Sequence, residues 1–278
     1  GVIEGDTGTH DGAVSLLGAT ARLVAAQGIG EQRIAIAPIG YSYAPLSSSV
    51  ARLAASSTAG DIRLYNAGAL EIGPLADLPT HRVSGAGITR PIWAAEMSGI
   101  ATAGAGMVQV ITEGSLSVLS DPAIDDGVSI RAGSGGVVLE VRAVIRTSVD
   151  EDTGLPVTET VDAGDLLIQG NIISGDPVTL QGGGYVLITV AGNLTQQAGS
   201  LIASGQGVLI EAGGTVTLAR VSAAPFSARL SDKGPVAPLA GGQVSIRTPD
   251  AIELAEGAAH SEPEPDIAAG ELVLEARE

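Results

Sequence analysis

A displacement of 22 residues lays YVLITVAGNLT (185–195) over GVLIEAGGTVT (207–217). Val186-Leu187-Ile188 then covers Val208-Leu209-Ile210, Gly192 covers Gly214, Leu194 covers Val216 and Thr195 covers Thr217. The same shift sets Leu180 on Ile202, Gly170 on Gly192 and Asn171 on Asn193. Asp165–Gln169 echoes Tyr185–Thr189 at a shift of 20, as Ala251–Leu254 echoes Glu271–Leu274. Self-similarity at a period of tens of residues is the mark of stacked repeats. Inside one period, short apolar runs recur every 7–8 residues, each opened by glycine: GNLTQQ, GSLIAS, GVLIEA and GTVTLA, from Gly192, Gly199, Gly207 and Gly214.

Strands this short do not persist alone. Stacked as coils, equivalent strands lie about 4.8 Å apart in parallel register, and each coil buries the face its neighbour exposes. The expectation is an all-β protein, a parallel β-helix (β-solenoid) with three short strands per coil of about 20–23 residues. Evenly divided, the 278 residues make about twelve coils and a rod on the order of 60 Å long. Asn171 over Asn193 is expected to form a structural ladder at a turn, with side-chain amides bonding along the axis. Residues 13–27 are rich in the helix formers Ala and Leu. Gly18 and the alternations Val14/Leu16 and Ala21/Leu23 favour strands there instead.

Composition agrees with a thin, layered core. Aromatics are 2% of residues, so Val, Ile, Leu and Ala must fill the interior. The net charge of −17, with Lys233 the only lysine, disfavours nucleic acid and anionic membrane surfaces, both of which need cationic partners. An acidic surface fits a saline exterior and divalent cations. The absence of cysteine removes disulfides, thiolate catalysis and Cys-based zinc sites. No apolar run is long enough for a membrane span, so no membrane insertion is expected. The opening GVIEGDTG, without Met or signal peptide, reads as a processed protein or a piece of a longer one.

GDIRLYNAGALEIG, GNIISGDPVTLQGGG, VAGNLTQQAGSLIASGQGVLIEAGGTVTLA and GGQVSIRTPDAIEL resemble the coils of filamentous-haemagglutinin-like bacterial surface proteins. The resemblance covers most of residues 60–256 and is one of repeat style, with no catalytic motif. It implies a right-handed helix, an extracellular or bacterial cell-surface location, and a role in adhesion.

Three segments break the rhythm of this solenoid: 146–162, 222–242 and 257–270. The first, RTSVDEDTGLPVTETVD, has Thr/Val arms about an acidic turn and reads as a projecting β-hairpin. The second carries the only Phe and the only Lys; the third is polar and Pro-rich. Asp150, Glu151 and Asp152, with Glu159 and Asp162 nearby, are the candidate Ca²⁺ ligands; the competing reading is a solvated acidic loop. No other cofactor is indicated.

The leading functional expectation is a non-enzymatic structural or adhesive rod. Its partners would be further repeats or other chains stacked at the ends of the solenoid, and a cell-surface receptor or glycan. A binding module acting through 146–162 and 222–242 is a second expectation. The alternative is a carbohydrate-active β-helix enzyme of the lyase or hydrolase type. Such sites need clustered carboxylates with basic partners and rings to stack on sugar. Here His10, His81 and His260 are scattered and rings are few.

Overall fold

The computed structural model describes residues 2–3, 16–30, 32–36, 40–76, 78–83, 89–94, 96–121, 127–150, 153, 155–175, 182–223, 242–255, 267–269 and 271–276. All regular structure among them is strand. Twenty-three strands belong to one sheet whose pairings are parallel throughout. The chain winds through three faces in turn, so each strand meets its equivalent one coil later. This is a parallel β-helix.

Face B is the broadest. Its register runs Ile3, Ile29, Ile62, Val108, Val137, Val186, Val208, Val244, Leu272. Face C, made of three-residue strands, runs Leu70, Leu116, Leu166, Leu194, Val216, Ile252. Face A runs Leu23, Ala55, Ile100, Ile130, Ile172, Ile202, Val221, Ile267. Period-2 alternation turns every second side chain inward. Ile62, Leu64, Val108, Val110, Val137, Leu139, Ile188 and Ile210 are all at most 1% exposed. The main buried cluster consists wholly of Ala, Val, Leu and Ile, as the scarcity of rings requires. Each fully buried Val, Leu or Ile contributes about 1.5–3 kcal/mol by leaving water. Leu16–Ala25 is a strand, not a helix.

The described rungs are fewer than the coils an even division of the chain predicts. Face B has nine rungs among the described residues, or on the order of 40 Å at sheet spacing. Only the step from Val186 to Val208 is a bare 22-residue coil; the others carry insertions that leave the ladders intact.

Three insertions are antiparallel hairpins: Gln32–Ile36 with Gly40–Ala44, Leu78–Val83 with Thr89–Ala94, and Val144–Val149 with Pro156–Asp162. The third is the one expected from the sequence, starting two residues earlier. The first splits a face-B strand, so Gly28–Ile29 and Leu46–Ser48 both align along Ile62–Asn66. Residues 224–241, the body of the second expected excursion, lie outside the described residues, as do 257–266 of the third. The third ends before 270, because Ile267–Ala268 pairs with Val221–Ser222 on face A. Among the described residues no helix is long and apolar enough to cross a membrane.

Candidate functional site

The hairpin Val144–Asp162 leaves the rod between face B and face C, and its tip and base use their carboxylates differently. At the tip, Asp150 Oδ1 accepts hydrogen bonds from Thr153 N (2.8 Å) and Thr153 Oγ1 (3.0 Å). Asp150 N donates to Leu155 O (2.9 Å), closing the turn. Aspartate favours such turns because its short side chain mimics a backbone acceptor. Glu151 and Asp152 lie outside the described residues. Glu159 stands across from Arg146, and Asp162 is at the base opposite Val144. Asp150 and Asp162 therefore sit at opposite ends of the ribbon, about 20 Å apart at strand rise. Of the five acids, the described Asp150, Glu159 and Asp162 do not converge on one point. No cluster of three or more His, Asp or Glu among the described residues is placed to hold a metal.

Asp162 anchors the hairpin. Its Oδ1 accepts from Gly164 N (2.8 Å) and Ser115 Oγ (2.8 Å), and its Oδ2 from Ser115 N (3.2 Å). The Gly164 N–H, with the Ser115 hydroxyl and N–H, holds this carboxyl below the usual carboxylate range, against the opposing effect of burial. A depressed folded pKa contributes stability that is present above the unfolded value, about 3.9, and is lost as pH falls through the lower folded one. Hydrogen exchange at Ser115 and Gly164 should accelerate, relative to the neighbouring coil, below about pH 3.9. Asp162→Asn should lack that acid step and start from faster exchange at neutral pH. Equal pH profiles for the two proteins would show that Asp162 does not hold the base.

From Ser115 a polar ladder climbs the corner between face B and face C. Asp165 N donates to Ser115 Oγ (3.2 Å), Asn193 N and Nδ2 donate to Asp165 Oδ1 (2.7 and 3.3 Å), and Thr215 N donates to Asn193 Oδ1 (2.8 Å). Each side chain caps the backbone of the next rung. Ser115, Asp165 and Asn193, with Ser117, Leu167 and Thr195 of face C, line a shallow open recess beside the hairpin.

Asn193 thus joins an axial ladder, but not with Asn171. Asn171 opens a face-A strand, and its Oδ1 accepts from Leu201 N (2.8 Å). The insertion after Gly175 lengthens that coil, so 22 residues carry the chain only from face A to face C. The 20-residue echoes fail similarly: Leu166 and Ile252 are on face C, Val186 and Leu272 on face B. The proposed Leu180–Ile202 match involves a residue outside the described set.

Among the buried polar residues described, Asn66 and Gln196 are the two amides. Asn66, 1% exposed, occupies an inward position of Ile62–Asn66. Gln196 sits in an otherwise aliphatic column between Ile168 and Leu218. Its Nε2 donates to Ser200 O (3.1 Å) and Arg220 O (2.9 Å), and its Oε1 accepts from Ala219 N (3.0 Å). Strict alternation was the available signal for Asn66. The same alternation, Leu194 then Gln196, places Gln196 inward.

Outward, face B carries stacked ion pairs. Arg247 reaches Glu211 (3.6 Å) and Glu275 (3.1 Å) on the rungs either side, and Arg142 pairs with Glu140 (2.7 Å). Exposed pairs of this kind add little stability. Burial and a hydrogen bond to Glu113 push the Tyr65 phenol up to about 12. Tyr185 is exposed, its ring lying over Gly207 of the next rung. Outside face A, Val128, Ile173, Leu201 and Ala203 form a second buried cluster, so that side is covered at these rungs.

The architecture defines the class, a parallel β-solenoid. No protein-family model, curated protein or solved structure matches the chain.

Proposed function

We propose that the chain is a segment of a non-enzymatic, extracellular structural or adhesive rod of the filamentous-haemagglutinin-like kind. One observation carries this reading. The face-B register runs on through nine rungs, resuming at Leu46 where the hairpin at 32–44 splits a strand, while the hairpins Leu78–Val83/Thr89–Ala94 and Val144–Val149/Pro156–Asp162 leave between faces without breaking the ladders. A scaffold that tolerates insertions without loss of its core is suited to hold recognition segments away from a surface. The inward Leu272 and Leu274 of the last described rung are each 48% exposed, an apolar end suited to accept another rung from further repeats or another chain.

The test couples shape, attachment and catalysis. Electron microscopy should show short rods, and beads coated with the chain should adhere to cell surfaces or glycan arrays. Replacing 145–161 by a tight turn should reduce attachment while leaving the β-rich circular dichroism unchanged. A globular particle, or new reducing ends released from acidic polysaccharides, would overturn the reading.

A further inference from the structure

Residues 145–149 and 155–161 are exposed without exception, so the rod covers neither side of the ribbon Val144–Asp162. Five of the twelve exposed large hydrophobic residues described are here: Ile145, Val149, Leu155, Val157 and Val161. A two-stranded ribbon is marginal in water, and an open edge with apolar β-branched side chains invites another strand.

The two edges differ. Asp150 N bonds Leu155 O, so by antiparallel alternation Ser148/Val157 and Arg146/Glu159 are the hydrogen-bonded pairs. The N–H and C=O groups of Ile145, Thr147 and Val149 then point outward, away from the sister strand. The other edge has Pro156 at the equivalent outward position, with no N–H to offer. The edge Val144–Val149 is the competent one.

That edge complements itself. Turned antiparallel about Thr147, Ile145 meets Val149 of a second copy, Thr147 meets Thr147 and Arg146 meets Ser148, with no like charges opposed. Every backbone group used in this register is an outward one. Asp150 at the tip falls opposite Val144 of the second copy, two residues from the half-exposed Arg142 that ends face B.

We propose that this ribbon pairs edge to edge with that of a second copy, strand Val144–Val149 against Val144–Val149, about a two-fold axis at Thr147. The product is a four-stranded antiparallel sheet bridging two rods side by side. The inference is independent of whether the rod is adhesive. An edge of six residues buries less than the roughly 1,200 Å² of a stable dimer, so association is weak and concentration-dependent.

Sedimentation velocity of the intact chain at rising concentration should show a monomer–dimer shift. Thr147→Glu and Thr147→Lys should each abolish it, because like charges then face each other across the axis. An equimolar mixture of the two variants should restore it. Position 147 is exposed and its backbone does not bond the sister strand, so far-UV circular dichroism should not change. The chain has no cysteine, so Thr147→Cys should give a disulfide-linked dimer on mild oxidation. A wild-type chain monomeric at concentrations on the order of 1 mM overturns the proposal. So do charged variants that associate like wild type, a mixture that stays monomeric, or association only with a different protein.

Discussion

Asn66→Leu is expected to destabilise the N-terminal coils by about 3–5 kcal/mol, a large effect for a near-isosteric change. Oδ1 of Asn66 accepts from Val50 N (2.9 Å) and Ser48 Oγ (3.0 Å), and Nδ2 donates to Val50 O (3.1 Å) and Gly68 O (3.0 Å). One side chain thus ties the backbone of the preceding rung to the turn of its own. Leucine fills the space and adds apolar burial, yet leaves the Val50 N–H and two carbonyls stranded away from water. An unsatisfied buried group costs about 1–3 kcal/mol, which outweighs the gain in transfer energy. In a solenoid each rung contacts only its neighbours, so the loss should be local. Hydrogen exchange should rise across 46–72 while Tyr185–Val190 and Gly207–Ala212 stay protected. Uniform loosening of all rungs, or a denaturation midpoint within experimental scatter of wild type, would refute this account.

The structure also explains why some of the sequence was readable and some was not. The echo between Val186 and Val208 is a true stacking repeat because no insertion falls between them. Elsewhere on face B, Ile62, Val108, Val137 and Val186 stand 46, 29 and 49 residues apart, so no fixed shift could align them. The alternation that made strands visible says which side of a strand is inward but not which face the strand joins. That is why Asn171 and Asn193 were matched across different faces. The hairpin at 144–162 announced itself through an acidic turn between Thr/Val arms. The hairpin at 32–44 has the same alternation in RIAIAP and YSYA, and reads as ordinary coil because only the return of the ladder at Leu46 shows it projects. All three asparagines are corner staples, a role that depends on carbonyls and N–H groups brought close by stacking. Ca²⁺ ligation at Asp150, Glu151 and Asp152 rests on charge density in the sequence; Asp150 Oδ1 accepts from Thr153, and Glu151 and Asp152 lie outside the described residues.

The glycines at the corner entering face B carry a second large effect, and Gly133→Ala isolates it. A Cβ built on Gly133 falls inside the van der Waals envelope of the Gly104 carbonyl one rung below, with Gly104 C at 2.9 Å. Gly135 meets the backbone of Gly106 in the same way, and Gly184 that of Gly135 at 2.7 Å. These are backbone-to-backbone approaches, so no flexible side chain can swing aside. Rung spacing is set by the hydrogen bonds of the ladders on either side and cannot widen locally without breaking them. Overpacking of this kind costs about 1–3 kcal/mol, and the rigid partner puts Gly133→Ala at or above the top of that range. Gly104→Ala at the same corner is the control. Gly104 has φ +64° and nothing within 4 Å of a built Cβ, so alanine there meets only the left-handed backbone penalty, about 1–2 kcal/mol. Urea denaturation of both variants should rank Gly133→Ala as the less stable. Exchange should rise most in Val108–Glu113 and Val137–Arg142, the strands this corner feeds. If the two alanines cost the same, conformational freedom rather than close stacking is what the corner demands of its glycines.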